Sequence, residues 1–200
     1  IPEYMTFGLP DGDGTVTGEG IDEFLNLPKD VIAAGPGLGT GSGPLALVKS
    51  LLRRTDLPIV LDADALNVLA ADDGLQGLSG HGRAAVVITP HPGEFARLTG
   101  LSVEEVQCDR VLLARSFAVE REIYIVLKGA QTVVATPAGG VSINTTGNPG
   151  MATGGSGDVL TGVIAAGLAQ VLAEIPSAQR SLSSSCEREV TGAIQLAVYL

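Results

Sequence analysis

Basic residues are scarce in this sequence: 12 lysines and arginines stand against 22 aspartates and glutamates, a formal charge of −10. A surface of that sign repels a phosphate backbone and an anionic lipid leaflet alike, which argues against nucleic-acid and membrane partners. Cysteine is nearly absent. Cys108 and Cys186 lie far apart, without a Cys-x-x-Cys pair or a neighbouring histidine, so neither a zinc site nor a disulfide framework is expected and a reducing cytoplasm fits best. No apolar run approaches the ~20 residues of a bilayer span; the most hydrophobic stretch, Gly162 to Ile175, is short and rich in alanine and glycine. An initiating methionine, a signal-peptide pattern and a capping residue after the final helical stretch are missing too, so the chain reads as a fragment of a longer protein.

Glycine is what the sequence has in excess, 27 of 200 residues, roughly twice the usual ~7%. With 45% hydrophobic residues and a mean hydropathy of +0.34, disorder is excluded as the main state. A chain of this length suits one domain and buries roughly 70% of its unfolded surface without staples. The first 30 residues, with seven acids and one lysine, look like surface, with a loop at 10–14 and a short helix from Gly20 to Leu27. Then short apolar runs alternate with helical periodicity: 31–34 before 44–54, 59–61 before 63–70, 85–88 before 93–98. Ser102 and Glu105 form a capping box that opens one continuous helix, Val103 to Glu120. Strands at 123–127, 132–135 and 141–143 follow, then helices at 155–174 and 187–200. The fold class is α/β: a mostly parallel sheet flanked by helices on both faces, with a late antiparallel hairpin. There is no internal repeat.

The polar residues that could carry chemistry all sit just past strand ends, where open α/β sheets bind ligands. The densest signal is Asn148 to Gly162, in which Gly154, Gly155, Ser156 and Gly157 open an apolar helix: consecutive amides at a helix start form an anion site. Asp158 is the only charged side chain between Lys128 and Glu174, placed to take a proton from a hydroxyl as that oxygen meets phosphate, or simply to serve as a first-turn helix acid. A Walker A loop is excluded, because no Lys-Ser/Thr follows the glycines. Gly35-Pro36-Gly37-Leu38-Gly39 fails the dinucleotide fingerprint, since Thr40 holds the third glycine position; it serves a ligand or a tight turn. His91 and Glu94 share a proline-braced turn, with Glu94 either orienting Mg²⁺ or its water, or acting as a helix acid. Asp62 and Asp64 either ligate a metal or cap the next helix. Lys128, ahead of Gly129, Ala130, Gln131 and Thr132, reaches a phosphate or marks a solvated hairpin. His81 and the cysteines are read as structural.

Taken together, Gly35 to Gly39, Asp62 to Asn67, Thr89 to Glu94, Lys128-Gly129 and Asn148 to Gly162 make the chain resemble, in order and from end to end, the ADP/ATP-dependent NAD(P)H-hydrate dehydratase family of ribokinase-like fold. The resemblance implies a lyase that restores hydrated NADH or NADPH at the expense of ADP or ATP. It casts Asp158 as the base at the substrate hydroxyl. The amides of Gly154 to Gly157 would hold the transferred phosphate, Lys128 to Thr132 and Gly157 would contact the adenine nucleotide, and Gly37 and His91 would line the hydrate site. Mg²⁺ is implied, with Glu94 as participant. An epimerase, fused or separate, is implied as partner, and a homo-oligomer is compatible with the family. The family's domain starts with a glycine-bearing strand and helix ahead of Ile1, so residues 1–200 are expected to be a single domain lacking that unit and its C-terminal end. The competing readings are a ribokinase-like small-molecule kinase that leaves a stable phosphoester, and a nucleotide-binding subunit without turnover.

Overall fold

Runs of β-branched residues with no polar interruption are what strands buried on both faces require, and they dictate the centre of this molecule. The computed structural model describes residues 6–12, 14–72, 75, 77–80, 85–175 and 184–200; His81 lies outside them. Six strands form one sheet in sequence order: β3 (Ile32–Ala34), β4 (Ile59–Leu61), β5 (Val86–Ile88), β6 (Tyr124–Leu127), β7 (Val133–Ala135) and β8 (Val141–Ile143). The first four run parallel, β7 turns back antiparallel to β6 as the expected late hairpin, and β8 pairs antiparallel to β7. Ahead of them, β1 (Asp11–Gly12) and β2 (Thr15–Val16) make a small separate ribbon, and α1 spans Ile21–Asn26.

The two-residue period of the strands divides the core. Ile59, Leu61, Ile88, Ile125 and Leu127 point to one face, under α2 (Ser42–Arg54), α3 (Ala63–Ala71), α4 (Pro92–Thr99), α5 (Val103–Cys108) and α6 (Arg110–Arg121). There Phe95 and Phe117 meet edge to face at 5.5 Å. Val60, Val87, Tyr124, Val126 and Val134 point to the other face, under α7 (Ser156–Ala173) and α8 (Ser184–Tyr199). By length and composition alone α7 is apolar enough to cross a membrane. In this fold it packs against α8, β3 and β4 through the stripe Thr161, Ile164, Leu168 and Leu172.

One expectation needs correcting. The helix read as continuous from Val103 to Glu120 is two helices, α5 and α6, divided at Asp109. Asp109 leaves helical torsions (φ −144°, ψ 57°) and its carboxylate accepts the amide of Leu112, so it caps a second helix. The Ser102–Glu105 capping box forms as read.

Parallel register sets the site. Ala34 pairs with Leu61 and Leu61 with Ile88, so the residues that follow, Gly35, Asp62 and Thr89, emerge at one edge. The ladder continues past the strand ends: the Asp62 amide donates to the Ala34 carbonyl, Thr89 to Leu61, and Lys128 to Pro90. Gly35 makes this close approach feasible. It lies at φ +137°, and a Cβ there would fall 1.7 Å from the carbonyl oxygen of Asp62. Gly37, at φ +67°, faces open space instead. Gly35→Ala is therefore expected to destabilise the fold by about 3 kcal/mol or more, a melting-temperature loss of roughly 6–12 °C for a domain of this size. Gly37→Ala should cost about 1 kcal/mol of torsional strain. Equal denaturation midpoints for the two variants would show that the contact between the strand ends is not constraining.

Candidate active site

Asp62 follows β4 and is 1% exposed. It occupies the N-cap position of α3 yet makes no side-chain cap bond. The helix-cap reading does not describe it, because both oxygens accept bonds from other elements. Oδ1 accepts from Lys128 Nζ at 2.7 Å and Oδ2 from the Thr161 hydroxyl at 2.9 Å. Thus β4, the end of β6 and the first turns of α7 meet on one carboxylate. Lys128 is accordingly a buried-pair residue, 20% exposed at its side chain, and not the marker of a solvated hairpin. Its ammonium also lies 3.9 Å from Glu94 Oε2.

Glu94 and His91 open α4 as a reciprocal capping box: Glu94 accepts the His91 amide at 2.8 Å, and His91 Nδ1 accepts the amides of Gly93 and Glu94 at 3.0 and 3.2 Å. An accepting Nδ1 places the proton of neutral imidazole on Nε2, which lies 3.5 Å from Glu94 Oε1. The ring stays half exposed at the cleft. Asp64, one turn into α3, accepts the Gly39 amide at 2.9 Å and so ties the loop from Gly35 to Gly41 to this edge. Among the described residues no three histidine, cysteine, aspartate or glutamate side chains gather as a metal cage.

The turn from Lys128 to Thr132 is braced by a residue that no motif pointed to. The Arg110 guanidinium donates to the carbonyls of Ala130, Leu127 and Lys128 at 2.7, 2.9 and 3.1 Å. Burial lowers its pKa below the ordinary arginine value. Gly129, at φ +143°, leaves room for this fork, and Gln131 is held at φ +59°.

At the third corner, Asn148 Oδ1 accepts the Gly150 amide and the Ser156 hydroxyl donates to Thr153 O, folding the loop 148–155 onto the start of α7. Gly155 is the N-cap at φ +90°, without any side chain capping the helix. Among the described residues, the amides of Gly157 and Asp158 have no acceptor. A Cβ on Gly157 would sit 3.2 Å from Lys128 Nζ and 3.6 Å from Asp62 Oδ2, so the helix start rests directly on the ion pair. Asp158, third in the helix, is exposed, and no partner is recorded for its carboxylate among the described residues.

The structure thus brings Lys128, Glu94, His91 and Gly157 together around Asp62, with Gly37 two residues from the Gly35–Asp62 contact and Asp158 next to Gly157. Sequence reasoning missed Thr161 and Arg110. Thr161 did leave a signal: it is the polar member of the stripe at 161, 164, 168 and 172, and so had to satisfy its hydroxyl in the core. For Arg110, Arg110→Lys should lose about 1–3 kcal/mol, since an ammonium cannot reproduce a planar fork to three carbonyls. Amide hydrogen exchange at 129–132 should accelerate. Unchanged exchange there would remove the brace.

Known proteins can now be set beside this geometry. The chain is 50% identical over 167 residues to the bifunctional NAD(P)H-hydrate repair enzyme Nnr of Moorella thermoacetica, covering 82% of this chain and 31% of that one. It spans about a third of the length of such bifunctional relatives. The structure of ADP/ATP-dependent NAD(P)H-hydrate dehydratase from Bacillus subtilis, co-crystallised with ATP/Mg²⁺, superposes with a TM-score of 0.60 at 31% identity, over 86% of this chain and 68% of that one. A ribokinase-like superfamily protein of Enterococcus faecalis gives a TM-score of 0.63 at 31% identity, over 85% and 52%. The fold is therefore ribokinase-like, as expected. A family model described as NAD(P)H-hydrate dehydratase matches residues 2–195, a range that holds every strand end and helix start gathered around Asp62, and the chain belongs to that family.

Proposed function

We propose that this chain carries the ADP- or ATP-dependent dehydration of hydrated NADH or NADPH, as a single domain within a longer cytoplasmic protein. The observation that carries this reading is the start of α7: the Asp158 carboxylate and the amides of Gly157 and Asp158, without partners among the described residues, on a helix turn seated against the Lys128–Asp62 pair. Such a turn offers a phosphate the helix dipole, the amides and one ammonium at once. Asp158 takes the proton from the hydrate hydroxyl as that oxygen attacks the terminal phosphate of the nucleotide. The amides from Gly154 to Gly157 hold the transferred phosphoryl group. The C–O bond then breaks, inorganic phosphate leaves and, with loss of the neighbouring proton, the ring double bond returns.

Lys128, Gly129, Ala130, Gln131 and Thr132 form the nucleotide side of the cleft, and Gly37 and His91 the hydrate side. Mg²⁺ bound with the nucleotide would neutralise phosphate charge, and Glu94 is the carboxylate that would hold it or its water. The bifunctional name of the Moorella relative supports a second repair activity beside this one, which we assign to an epimerase.

The test is incubation with ADP or ATP, Mg²⁺ and hydrated NADH while the NADH absorbance band is followed. Recovery of the band with stoichiometric phosphate release is expected. A stable phosphoester without NADH would replace the reading with that of a small-molecule kinase. Asp158→Asn should lower turnover about 10²-fold or more and leave nucleotide affinity within about twofold, because it removes a base but no amide. Near-normal turnover would dismiss Asp158 as the base.

A further inference from the structure

We propose that Asp62 is a positioning residue for the nucleotide phosphates, acting through Lys128; this rests on the reading of Lys128 and the start of α7 as the phosphate end of the site. An aspartate at a helix N-cap ordinarily accepts the amides of the first turn. Asp62 stands at that position and declines both. The next residue, Ala63, is held at φ +46°, a left-handed conformation that costs an alanine on the order of 1 kcal/mol or more. Strain of this kind persists where the surroundings over-determine it, and it clusters at functional sites. Here Asp62 reaches away from its own helix to two other elements.

Each oxygen has one task. Oδ2 accepts from Thr161 and ties α7 to the end of β4. Oδ1 accepts from Lys128 and stops a long, flexible side chain from swinging into solvent. The next carboxylate, Glu94 at 3.9 Å, is beyond hydrogen-bond distance and cannot replace it. An ammonium has three donors, and this one spends a single donor on Asp62, leaving the others for an incoming anion. The ammonium is thereby parked against Gly157, whose amide has no acceptor among the described residues. Because the same carboxylate anchors Thr161, the ammonium and the helix start keep a fixed spacing, which is what preorganised recognition of a phosphate requires.

Titration of ADP and ATP into wild type, Asp62→Asn, Lys128→Met and the double variant tests this, with and without Mg²⁺. Each single change should weaken nucleotide binding about tenfold or more, the scale of one charge-assisted hydrogen bond. The double variant should bind no more weakly than Lys128→Met alone, since Asp62 acts through that side chain. In turnover, KM for the nucleotide should rise while KM for the hydrate holds. Additive losses, or a loss confined to samples with Mg²⁺, would overturn the proposal in favour of a general packing or metal-ligand role. Asp62→Asn binding like wild type beside a weakened Lys128→Met would overturn the proposal alone. Wild type that binds neither nucleotide, or an unweakened Lys128→Met, would overturn the reading of Lys128 and the proposal with it. Should Asp62→Asn fail to fold, Thr161→Val answers the same question: a several-fold weaker affinity, restored by Thr161→Ser, is expected, and unchanged affinity in Thr161→Val would overturn the proposal.

Discussion

A carboxylate withdrawn from water at the edge of a sheet must find partners or lose its charge, and desolvating it costs several kcal/mol before any pairing is counted. Asp62 meets that demand with two bonds to two different elements, and the arrangement of the cleft depends on them. The bond to Lys128 sets where the chain leaves β6. The bond to Thr161 sets where α7 begins over the sheet. Removing either partner would leave the carboxylate undersatisfied, so strand end, lysine and helix start hold one another in place. Lys128 contributes because the low exposure of the pair limits the solvent screening that makes surface ion pairs weak.

The glycines of the fold answer to two different constraints. At Gly35, Gly43 and Gly80 an added Cβ would fall within 2 Å of a backbone carbonyl oxygen, so the chain itself requires glycine there. At Gly37, Gly154 and Gly155 an added Cβ would meet nothing within 4 Å. Gly37 and Gly155 need their positive φ instead. The first group lets strand ends and helices approach; the second sets local turns. A density of glycine about twice the usual value is the sum of both demands.

Histidine and glutamate illustrate how one turn serves structure and site together. His91 spends Nδ1 on two amides of α4, and Glu94 spends an oxygen on the His91 amide. That reciprocal cap makes the turn rigid and leaves the ring half exposed, while the buried carboxylate stands behind Lys128. Rigid loops of this sort position chemistry better than flexible ones, because little order remains to be imposed on binding.

Length, glycine excess and the alternation of apolar runs with helical periodicity determined the α/β class, the strand positions and the late hairpin, because sheet strands and amphipathic helices leave periods of 2 and 3.6 in any sequence. Motif spacing likewise singled out Gly37, His91, Lys128 and Asp158 as candidates. What the sequence left open were assignments of partners. Asp62 reads equally as a cap or a metal ligand, and only contacts across 66 and 99 positions make it the meeting point of Lys128 and Thr161. Arg110 bears no motif at all; its role exists because α6 packs where its fork meets three carbonyls. Asp109 divides a helix whose periodicity runs straight through it, because a side chain competing for its own backbone leaves no mark in the apolar pattern. Local patterns record the energies of neighbours in sequence, whereas a buried charge or a planar fork chooses its partner among neighbours in space, and those exist only once the layers have packed.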